Sequence, residues 1–138
     1  MSDYSKEDEI IDNLLLDLEG IVKYKNSDGY FDRVDGPAII WPDGRQEWFL
    51  NGKRHREDGP ALICNDGSKA WYLNGKCHRV DGPARIGLDG RKEWWLNGKR
   101  HREDGAAVIL KDHEEWFLNG KLHRPDGPAV IWSKNHKK

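Results

Sequence analysis

The stretch Trp71–Ala84 reads WYLNGKCHRVDGPA, and versions of it recur along most of this 138-residue chain. Full copies start at Trp48, Trp71, Trp94 and Trp116, and a degraded copy covers residues 28–38. The Asp-Gly pairs inside these copies follow one another at intervals of 23, 23, 23 and 22 residues. A fixed period of this size is typical of a repeat array, in which each unit buries its apolar face only against its neighbours.

The composition favours a thin architecture over a thick globular core. Hydrophobic residues make up 36% of the chain and charged residues 34%, with a net charge of −1, and the polar balance leaves little material for a deep core. Near-neutral charge argues against general nucleic-acid binding. No apolar stretch is long enough to span a membrane and no signal peptide is recognisable. We therefore expect a cytoplasmic protein in which Cys64 and Cys77 stay reduced.

Residues 1–20 differ from the rest and are predicted to form one N-terminal amphipathic α-helix. Ser5 and Asp8 resemble a capping box, and Gly20 is a helix stop signal. Apolar residues recur between them at helical spacing, at Ile10, Ile11, Leu14, Leu15 and Leu18. We expect this helix to cover one end or face of the repeat domain, residues 21–138. The alternative is a helix that docks a partner or a second copy of the chain.

From residue 21 onward the sequence predicts β-structure. Each repeat holds two short apolar runs bounded by turns, such as Asn65-Asp66-Gly67-Ser68 and Asn74-Gly75. An Asn-Gly pair is typical of a tight hairpin, because both central residues of a type I′ turn need positive φ. About five repeats therefore predict a mainly β protein, an elongated single-sheet antiparallel meander of about ten strands. The fourth full copy has lost its turn glycine at residues 111–114, so we expect a tighter or irregular hairpin there.

The order of these residues resembles the MORN repeat, a β-hairpin unit of similar length. The resemblance rests on Trp94, Asp89-Gly90 and Gly98-Lys99-Arg100-His101, and it extends over residues 21–138. The family's His-Gly-x-Gly is replaced here by His-Arg-x-Asp-Gly-Pro-Ala, a variant similar to repeats encoded by tailed phages and giant DNA viruses. The resemblance implies an elongated scaffold that binds proteins, or occasionally lipids, without an activity of its own. It carries over no binding site, because function depends on a site rather than on a fold.

Side-chain alternation along the strands assigns two faces. The predicted core face carries, in successive repeats, Trp48, Trp71, Trp94 and Trp116 with Leu50, Leu73, Leu96 and Leu118, and also Ala38, Ala61, Ala84, Ala107 and Ala129 with Ile40, Ile63, Ile86, Ile109 and Ile131. The opposite face carries a second aromatic column, Phe49, Tyr72, Trp95 and Phe117. This column, edged by Arg85 and Trp41, is the leading candidate binding surface, since aromatic rows are typical of interface hot spots. The alternatives are that the N-terminal helix covers it or that it packs as the second face of a thin sheet.

The histidines that recur in every full copy are interpreted as structural, and they are His55, His78, His101 and His123. Equivalent residues lie two strands apart, about 10 Å, whereas the ligands of one zinc ion must lie within about 2.1 Å of it. We therefore expect no metal site. Each histidine is instead predicted to buttress the turn that follows Asn-Gly.

The recurring arginines, each two residues before an aspartate, are also interpreted as structural, and they are Arg56, Arg79, Arg102 and Arg124. They are predicted to form an arginine–carboxylate network that joins neighbouring repeats. The alternative is a basic ladder that binds phosphates. The variable residues beside His-Arg change together: Arg54 occurs with Glu57, and Arg100 with Glu103. We infer that they touch across the loop, and that the resulting striped rim, with Arg54 and Arg100 as candidate binding residues, either docks a partner or records a two-repeat duplication.

No nucleophile–base pair, phosphate-binding glycine loop or metal cluster is recognisable, so the sequence predicts neither an enzyme nor a cofactor. It predicts a non-enzymatic repeat scaffold for protein–protein interaction. If the chain is viral, as the resemblance implies, the partner would be a host factor such as a defence protein. One alternative is sequestration of an anionic small molecule or nucleotide by Arg85 or the loop arginines, with Trp95 or Tyr72 stacked on it. The other is a structural protein that assembles as a homo-oligomer through the helix or a sheet edge.

Overall fold

The computed structural model describes residues 10–11, 14–16 and 18–133. These residues form short β-strands and one turn of 3-10 helix, at Leu88–Gly90. In chain order the strands are β1 Ile10–Ile11, β2 Leu14–Leu16, β3 Val22–Tyr24, β4 Ile39–Ile40, β5 Gln46–Glu47, β6 Phe49–Leu50, β7 Lys53–Arg54, β8 Leu62–Ile63, β9 Lys69–Ala70, β10 Tyr72–Leu73, β11 Lys76–Cys77, β12 Arg85–Ile86, β13 Lys92–Glu93, β14 Trp95–Leu96, β15 Lys99–Arg100, β16 Val108–Ile109, β17 His113–Glu115, β18 Phe117–Leu118, β19 Lys121–Leu122 and β20 Val130–Trp132.

A large antiparallel sheet of 12 strands follows the order of the chain, β1-β2-β3-β4-β5-β8-β9-β12-β13-β16-β17-β20. The other strands form separate two-stranded hairpins, β6-β7, β10-β11, β14-β15 and β18-β19. The prediction of a mainly β antiparallel meander is therefore confirmed. The prediction of a single sheet with two strands per repeat is wrong, because each full repeat adds a hairpin beside the large sheet.

The chain leaves the large sheet at the repeated tryptophan, which explains why one predicted strand becomes two. The N–H of Trp48 donates to the carbonyl of Ala61 in the next repeat (2.7 Å), while the carbonyl of Trp48 accepts from the N–H of His55 (3.1 Å). The same two bonds recur at Trp71. Its backbone groups thus belong to two layers, so one run of alternating side chains is divided between the large sheet and a hairpin.

The hairpins have the predicted Asn-Gly turns and form a second ladder. Asn74 and Gly75 have φ values of 50° and 82°, the two positive values of a type I′ turn. Each hairpin is bonded to the one before it: the N–H of Gly75 donates to the carbonyl of Arg54 (2.8 Å), and the N–H of Arg56 donates to the carbonyl of Tyr72 (3.1 Å). The repeats are therefore joined twice, through the large sheet and through the hairpins.

The fourth full copy has a tighter turn in the large sheet, as predicted. The N–H of Leu110 donates to the carbonyl of His113, which leaves two residues in the loop. In the second repeat the corresponding bond runs from Cys64 to Ser68 and encloses three residues. The single-residue deletion is thus absorbed within one loop, and the pairing of β16 with β17 and of β17 with β20 is kept.

The predicted N-terminal helix is wrong wherever the structure describes residues 1–20. β1 and β2 are strands, and β2 pairs with β3 through Leu14↔Tyr24 and Leu16↔Val22. Without β2, β3 would be an open edge of unpaired backbone groups, and strand addition satisfies them. Ser5 and Asp8, the predicted capping pair, lie outside the described residues. No α-helix occurs within the described ranges, so these ranges contain no helix that could cross a membrane.

Both faces of the large sheet are covered, which corrects the prediction of one core face. On the tryptophan face, Ala38, Ala61, Ala84 and Ala107 are fully buried. On the opposite face the side chains exposed by only 3–5% are Ile39, Glu47, Ala70, Glu93 and Val108. The hairpins cover this second face, because their side chains reach its carboxylates; the guanidinium of Arg54, for example, lies 2.7 Å from Glu47. The protein has two thin half-cores rather than one thick core.

Candidate functional site

The repeated histidine joins each repeat to the next one. Nδ1 of His78 accepts a hydrogen bond from the backbone N–H of Asn97 (2.9 Å), the first residue of the following Asn-Gly turn. Equivalent bonds run from Asn74 to His55 and from Asn119 to His101, both at 2.9 Å. Three of the four repeated histidines therefore contact an Asn-Gly turn, and that turn belongs to the following repeat. Across the described residues, no group of three or more His, Cys, Asp or Glu side chains is arranged to hold a metal ion.

The degraded first copy keeps this acceptor with a different residue. Asp32 occupies the histidine position, and its Oδ1 accepts from the N–H of Asn51 at 2.8 Å. The loop before it contains no Asn-Gly pair. Instead, Oδ1 of Asn26 accepts from the N–H groups of Asp28 and Tyr30 within the same loop. The requirement at the histidine position is thus an acceptor, and the first copy caps its own donors.

Each repeated arginine lies over the tryptophan of its own repeat. The guanidinium carbon of Arg79 is 3.9 Å from the ring centroid of Trp71. Its Nε donates to Asp81 (3.1 Å) and its Nη1 to the carbonyl of Pro83 (3.0 Å). The predicted network between neighbouring repeats is wrong, because these side-chain bonds stay within one loop. The arginines of the other copies lie over their aromatic rings in the same way, at 3.9–4.1 Å.

The glycine of Asp-Gly-Pro is explained by this stacking. A Cβ at Gly82 would lie 3.1 Å from the guanidinium carbon of Arg79, and one at Gly105 would lie 2.7 Å from that of Arg102. Neither glycine has a positive φ, so a side chain there would meet the stacked arginine rather than a backbone restriction, and the arginine would have to shift to accommodate it. The Arg-x-Asp-Gly loop therefore closes tightly on its own tryptophan.

Three cavities recur at equivalent positions on the tryptophan face, and we call them the groove row. They lie against Trp48, Trp71 and Trp94, with volumes of about 310, 710 and 610 Å³. Each is lined by the tryptophan, the leucine two residues later and the histidine of that repeat. Residues 56–58 border both the first and the second cavity, and residues 79–81 border both the second and the third. The groove row is thus an apolar floor divided by Arg-x-Asp loops.

The tops of these dividing loops are acidic. The loop aspartates have side chains that are 86–89% exposed, whereas their arginine partners are only 23–25% exposed. The residue between them alternates along the array, as Val34, Glu57, Val80 and Glu103, and all four are exposed. The surface that meets solvent is therefore negative even though each loop contains an ion pair.

The predicted aromatic column lies on the hairpins themselves, at the first residue of β6, β10, β14 and β18. Phe117 is buried, and Phe49, Tyr72 and Trp95 are half-buried. Guanidinium groups pack between the rings: Arg54 lies 5.5 and 5.6 Å from the ring centroids of Phe49 and Tyr72, and Arg100 lies 5.1 and 5.3 Å from those of Trp95 and Phe117. This arrangement corresponds to the alternative in which the column packs as a second face. A binding role for these residues stays a prediction.

Buried carboxylates hold the candidate residues Trp41, Arg54 and Arg100. Glu47 accepts from Nε1 of Trp41 and from Nη2 of Arg54, both at 2.7 Å. Two repeats later, Glu93 accepts from Nε1 of Trp95 (2.9 Å) and lies 3.8 Å from Nε of Arg100. A carboxylate this deeply buried needs such partners. Arg54 and Arg100 are therefore engaged in compensating an internal charge.

The inferred contact between the slots beside His-Arg is wrong in the charged repeats. Glu57 lies 3.2 Å from Nε2 of His55, while Arg54 turns to Glu47 on the other face. Ala70 and Cys77 take the places of that Glu47–Arg54 pair in the second repeat, and both are buried. The alternation at the slot of Arg54 and Cys77 thus reflects packing between sheet and hairpin, while the rim slot of Glu57 and Val80 alternates in step with it without touching it.

Arg85 lies in a hollow of about 410 Å³ on the hairpin face. Its cross-strand neighbours are Ala70 and Glu93, and the small residues Ala70 and Gly87 leave the space open. Within the described part of the chain its guanidinium makes no hydrogen bond or ion pair. Neither Trp95 nor Tyr72 lines the hollow, so the predicted combination of an arginine with a stacking aromatic ring is not assembled there.

The charges around this hollow cancel. Its ionisable lining residues are Lys69, Arg85 and Arg91 on the positive side and Asp66, Asp89 and Glu93 on the negative side. Arg91 is paired with Glu93 at 3.3 Å. The hollow therefore offers a multiply charged anion no net attraction.

Cys77 is the one described group whose acidity is strongly shifted. Burial raises the pKa of its thiol to about 12, because the thiolate would lose its hydration. Cys64 and Cys77 are both free thiols. A nucleophilic role for Cys77 would need the thiolate, so the position is one of packing.

Sequence reasoning missed the groove row because it treated the tryptophans, leucines and histidines as core. The missed signal is the glycine that directly follows each Arg-x-Asp. It marks an arginine folded back onto its tryptophan. With one ring face covered by arginine, the remaining edge of the indole and the adjacent leucine line a cavity. Comparison of the chain with protein-family models, with curated proteins and with solved structures found no match. Its function is therefore argued from geometry.

Proposed function

We propose that this protein is a non-enzymatic repeat scaffold that binds another protein through the groove row. The observation that carries the proposal is the recurrence, in three consecutive repeats, of a cavity lined by tryptophan, leucine and histidine and bordered by Arg-x-Asp loops. Three cavities in register offer a partner several equivalent contacts at once, and linked contacts raise affinity without any one of them being strong.

The rigidity of the walls supports a binding role. Each Arg-x-Asp loop is fixed by a ring stack, an ion pair and a carbonyl hydrogen bond within its own repeat, as at Arg79. A partner therefore does not have to order these loops when it binds, which removes part of the entropic cost of association. Tryptophan in a partly covered pocket is also the residue type most enriched among interface hot spots.

The two other candidate surfaces have weaker support. The aromatic column is occupied by Arg54 and Arg100, so a partner would first have to displace internal charges. The Arg85 hollow has no net charge and no stacking ring for a nucleotide. Assembly of copies through a sheet edge is a further alternative, which a measurement of mass in solution separates from binding of a different protein.

Two lysine substitutions on opposite faces test the proposal. Val80 borders the second and third cavities and is 82% exposed, whereas Leu88 borders the Arg85 hollow and is 56% exposed. Both changes place a charge on an exposed apolar residue, so both variants should keep the stability of the natural protein. Immobilised protein would be incubated with extract from its native source, and the captured proteins would be identified by mass spectrometry.

We expect Val80→Lys to lose a protein that the natural chain and Leu88→Lys both retain. Purified partner should then bind Val80→Lys at least about tenfold more weakly, the loss typical of one disrupted hot spot. Retention by Val80→Lys together with loss by Leu88→Lys would move the site to the opposite face and end the proposal.

A further inference from the structure

The spacing of the groove row is fixed by the large sheet. Each full repeat adds two strands to it, and neighbouring strands lie about 4.7–4.9 Å apart. Successive cavities are therefore separated by about 9.4–9.8 Å. A segment that fills consecutive cavities must present an apolar side chain at this interval, on one side only.

Among regular chain conformations, polyproline II matches this interval best. Three of its residues form one turn and rise about 9.3 Å, so every third side chain points the same way. In a β-strand, side chains on one face recur about every 6.6 Å. In an α-helix, two turns rise about 10.5 Å over seven residues. Over three cavities the polyproline II segment drifts out of register by about 1 Å or less, and the helix drifts by roughly twice that.

The backbone of the groove row also suits a ligand that brings no hydrogen-bonding ladder. The N–H groups of Arg79 and Gly98, like their counterparts in other repeats, already donate to neighbouring hairpins. The open surface is side-chain surface: indole edges, leucines and histidines. A polyproline II segment keeps its own backbone solvated and is recognised by aromatic-lined grooves, so neither partner leaves backbone groups unsatisfied.

The walls between the cavities bear on the charge of the ligand. Asp58 and Asp81 project into solvent above the walls, with side chains that are 89% and 87% exposed, and each is paired with the less exposed arginine of its own loop. Glu57 adds a carboxylate that makes the first wall negative overall. A residue that crosses a wall meets these groups, so basic side chains are favoured at those positions. Resting on the proposed function, we propose that the partner contributes a basic polyproline II segment, with an apolar residue at every third position and lysine or arginine between.

Peptides with the same composition and different periods test this inference directly. The first probe carries four Leu-Pro-Arg triplets; the second holds the same residues in an order that removes the period of three; the third is a basic helical peptide with leucine at every seventh position. Binding is measured by fluorescence anisotropy. The triplet peptide should bind about tenfold or more tightly than the reordered one, because the latter leaves at least one apolar cavity unfilled. Equal binding of the two, or tightest binding of the helical peptide, would overturn the inference.

Charge reversal at two exposed sites separates specific from general attraction. Glu57→Lys changes the wall between the first and second cavities, and Asp28→Lys makes the same change in charge in the N-terminal loop; both residues are exposed. Glu57→Lys should weaken the triplet peptide severalfold more than Asp28→Lys does, and the difference should shrink as salt is added. Equal effects of the two variants would show that the walls do not select the ligand.

The two proposals fail in distinguishable ways. If no triplet preference is found while capture of the native partner still depends on Val80, the ligand class is wrong and the binding surface stands. If capture does not depend on Val80, the proposed function itself is wrong, whatever the peptides do.

Discussion

Replacement of one repeated histidine should loosen the junction to the following repeat, and His78→Ala is the most informative case. Nδ1 of His78 accepts from the N–H of Asn97 at 2.9 Å, and the half-buried ring also lines the second cavity beside Trp71 and Leu73. Alanine removes both the acceptor and the ring contacts. The N–H of Asn97 must then bond to water instead. The turn holds Asn97 at a positive φ of 49°, and a change in this angle would disturb the hydrogen bonds that join the hairpins.

The magnitude follows from these two losses. A net hydrogen bond contributes about 0.5–1.5 kcal/mol, and the partly buried ring adds roughly 1 kcal/mol. We therefore expect His78→Ala to lower the free energy of unfolding by about 1.5–2.5 kcal/mol. For a chain of this length the midpoint of thermal unfolding should fall by about 3–5 °C for each kcal/mol. His78→Asp should recover most of the loss, because Asp32 already supplies the acceptor to Asn51 in the first copy.

Urea unfolding followed by tryptophan fluorescence measures the change, and amide hydrogen exchange at Asn97 locates it. The matched control is His123→Ala, since His123 is exposed and its ring makes no hydrogen bond to a later Asn-Gly turn within the described residues. That variant should stay within about 0.5 kcal/mol of the natural protein. Equal destabilisation by His78→Ala and His123→Ala, or an aspartate variant as unstable as the alanine one, would refute the acceptor role.

Two further predictions concern acidity. Burial raises the pKa of Cys77 to about 12, so at about pH 8 a thiol reagent should modify Cys64 in the folded protein and Cys77 only after unfolding; equal rates for both thiols in the folded protein would contradict this. Hydrogen bonding to Asp112, opposed by partial burial and aided by Glu115, raises the pKa of His113 above its ordinary 6.5, so its stabilising contribution is complete below that value and is lost as pH rises through the raised pKa. The free energy of unfolding should therefore fall more steeply above about pH 6.5 in the natural protein than in His113→Gln, and superimposable pH profiles would exclude the effect.

The turns and the register of the repeats could be predicted from the sequence because their signals are local. Asn-Gly specifies two positive φ values wherever it occurs, and Asn74-Gly75 has them. The shortened loop before His113 was equally predictable from one missing residue. The bend at each tryptophan was not, since alternation of side chains continues unbroken through Trp48 while its backbone bonds pass from one layer to another.

The N-terminal segment shows the opposite case, in which a local signal was outweighed by a distant one. The run Leu14–Leu16 fits a helix and a buried strand equally well over so short a length. What decides between them is the free edge of β3, Val22–Tyr24, which pairs with this run. The partner of His78 was also out of reach of spacing alone, although Asp32 at the same position of the first copy indicates that an acceptor is needed there.

The construction of the loops explains how one array can combine a fixed fold with a variable surface. Arg79 finds its aromatic ring, its carboxylate and its carbonyl acceptor within its own repeat, so the conformation of the loop does not depend on Val80, which lies between these partners and faces solvent. Exchange of valine and glutamate at such a position changes stability little, as is usual for exposed side chains. The same exchange alters both the charge and the apolar area at the wall of two cavities. Selection at the rim can therefore act on which segment is bound while the ladders that hold the repeats together stay the same.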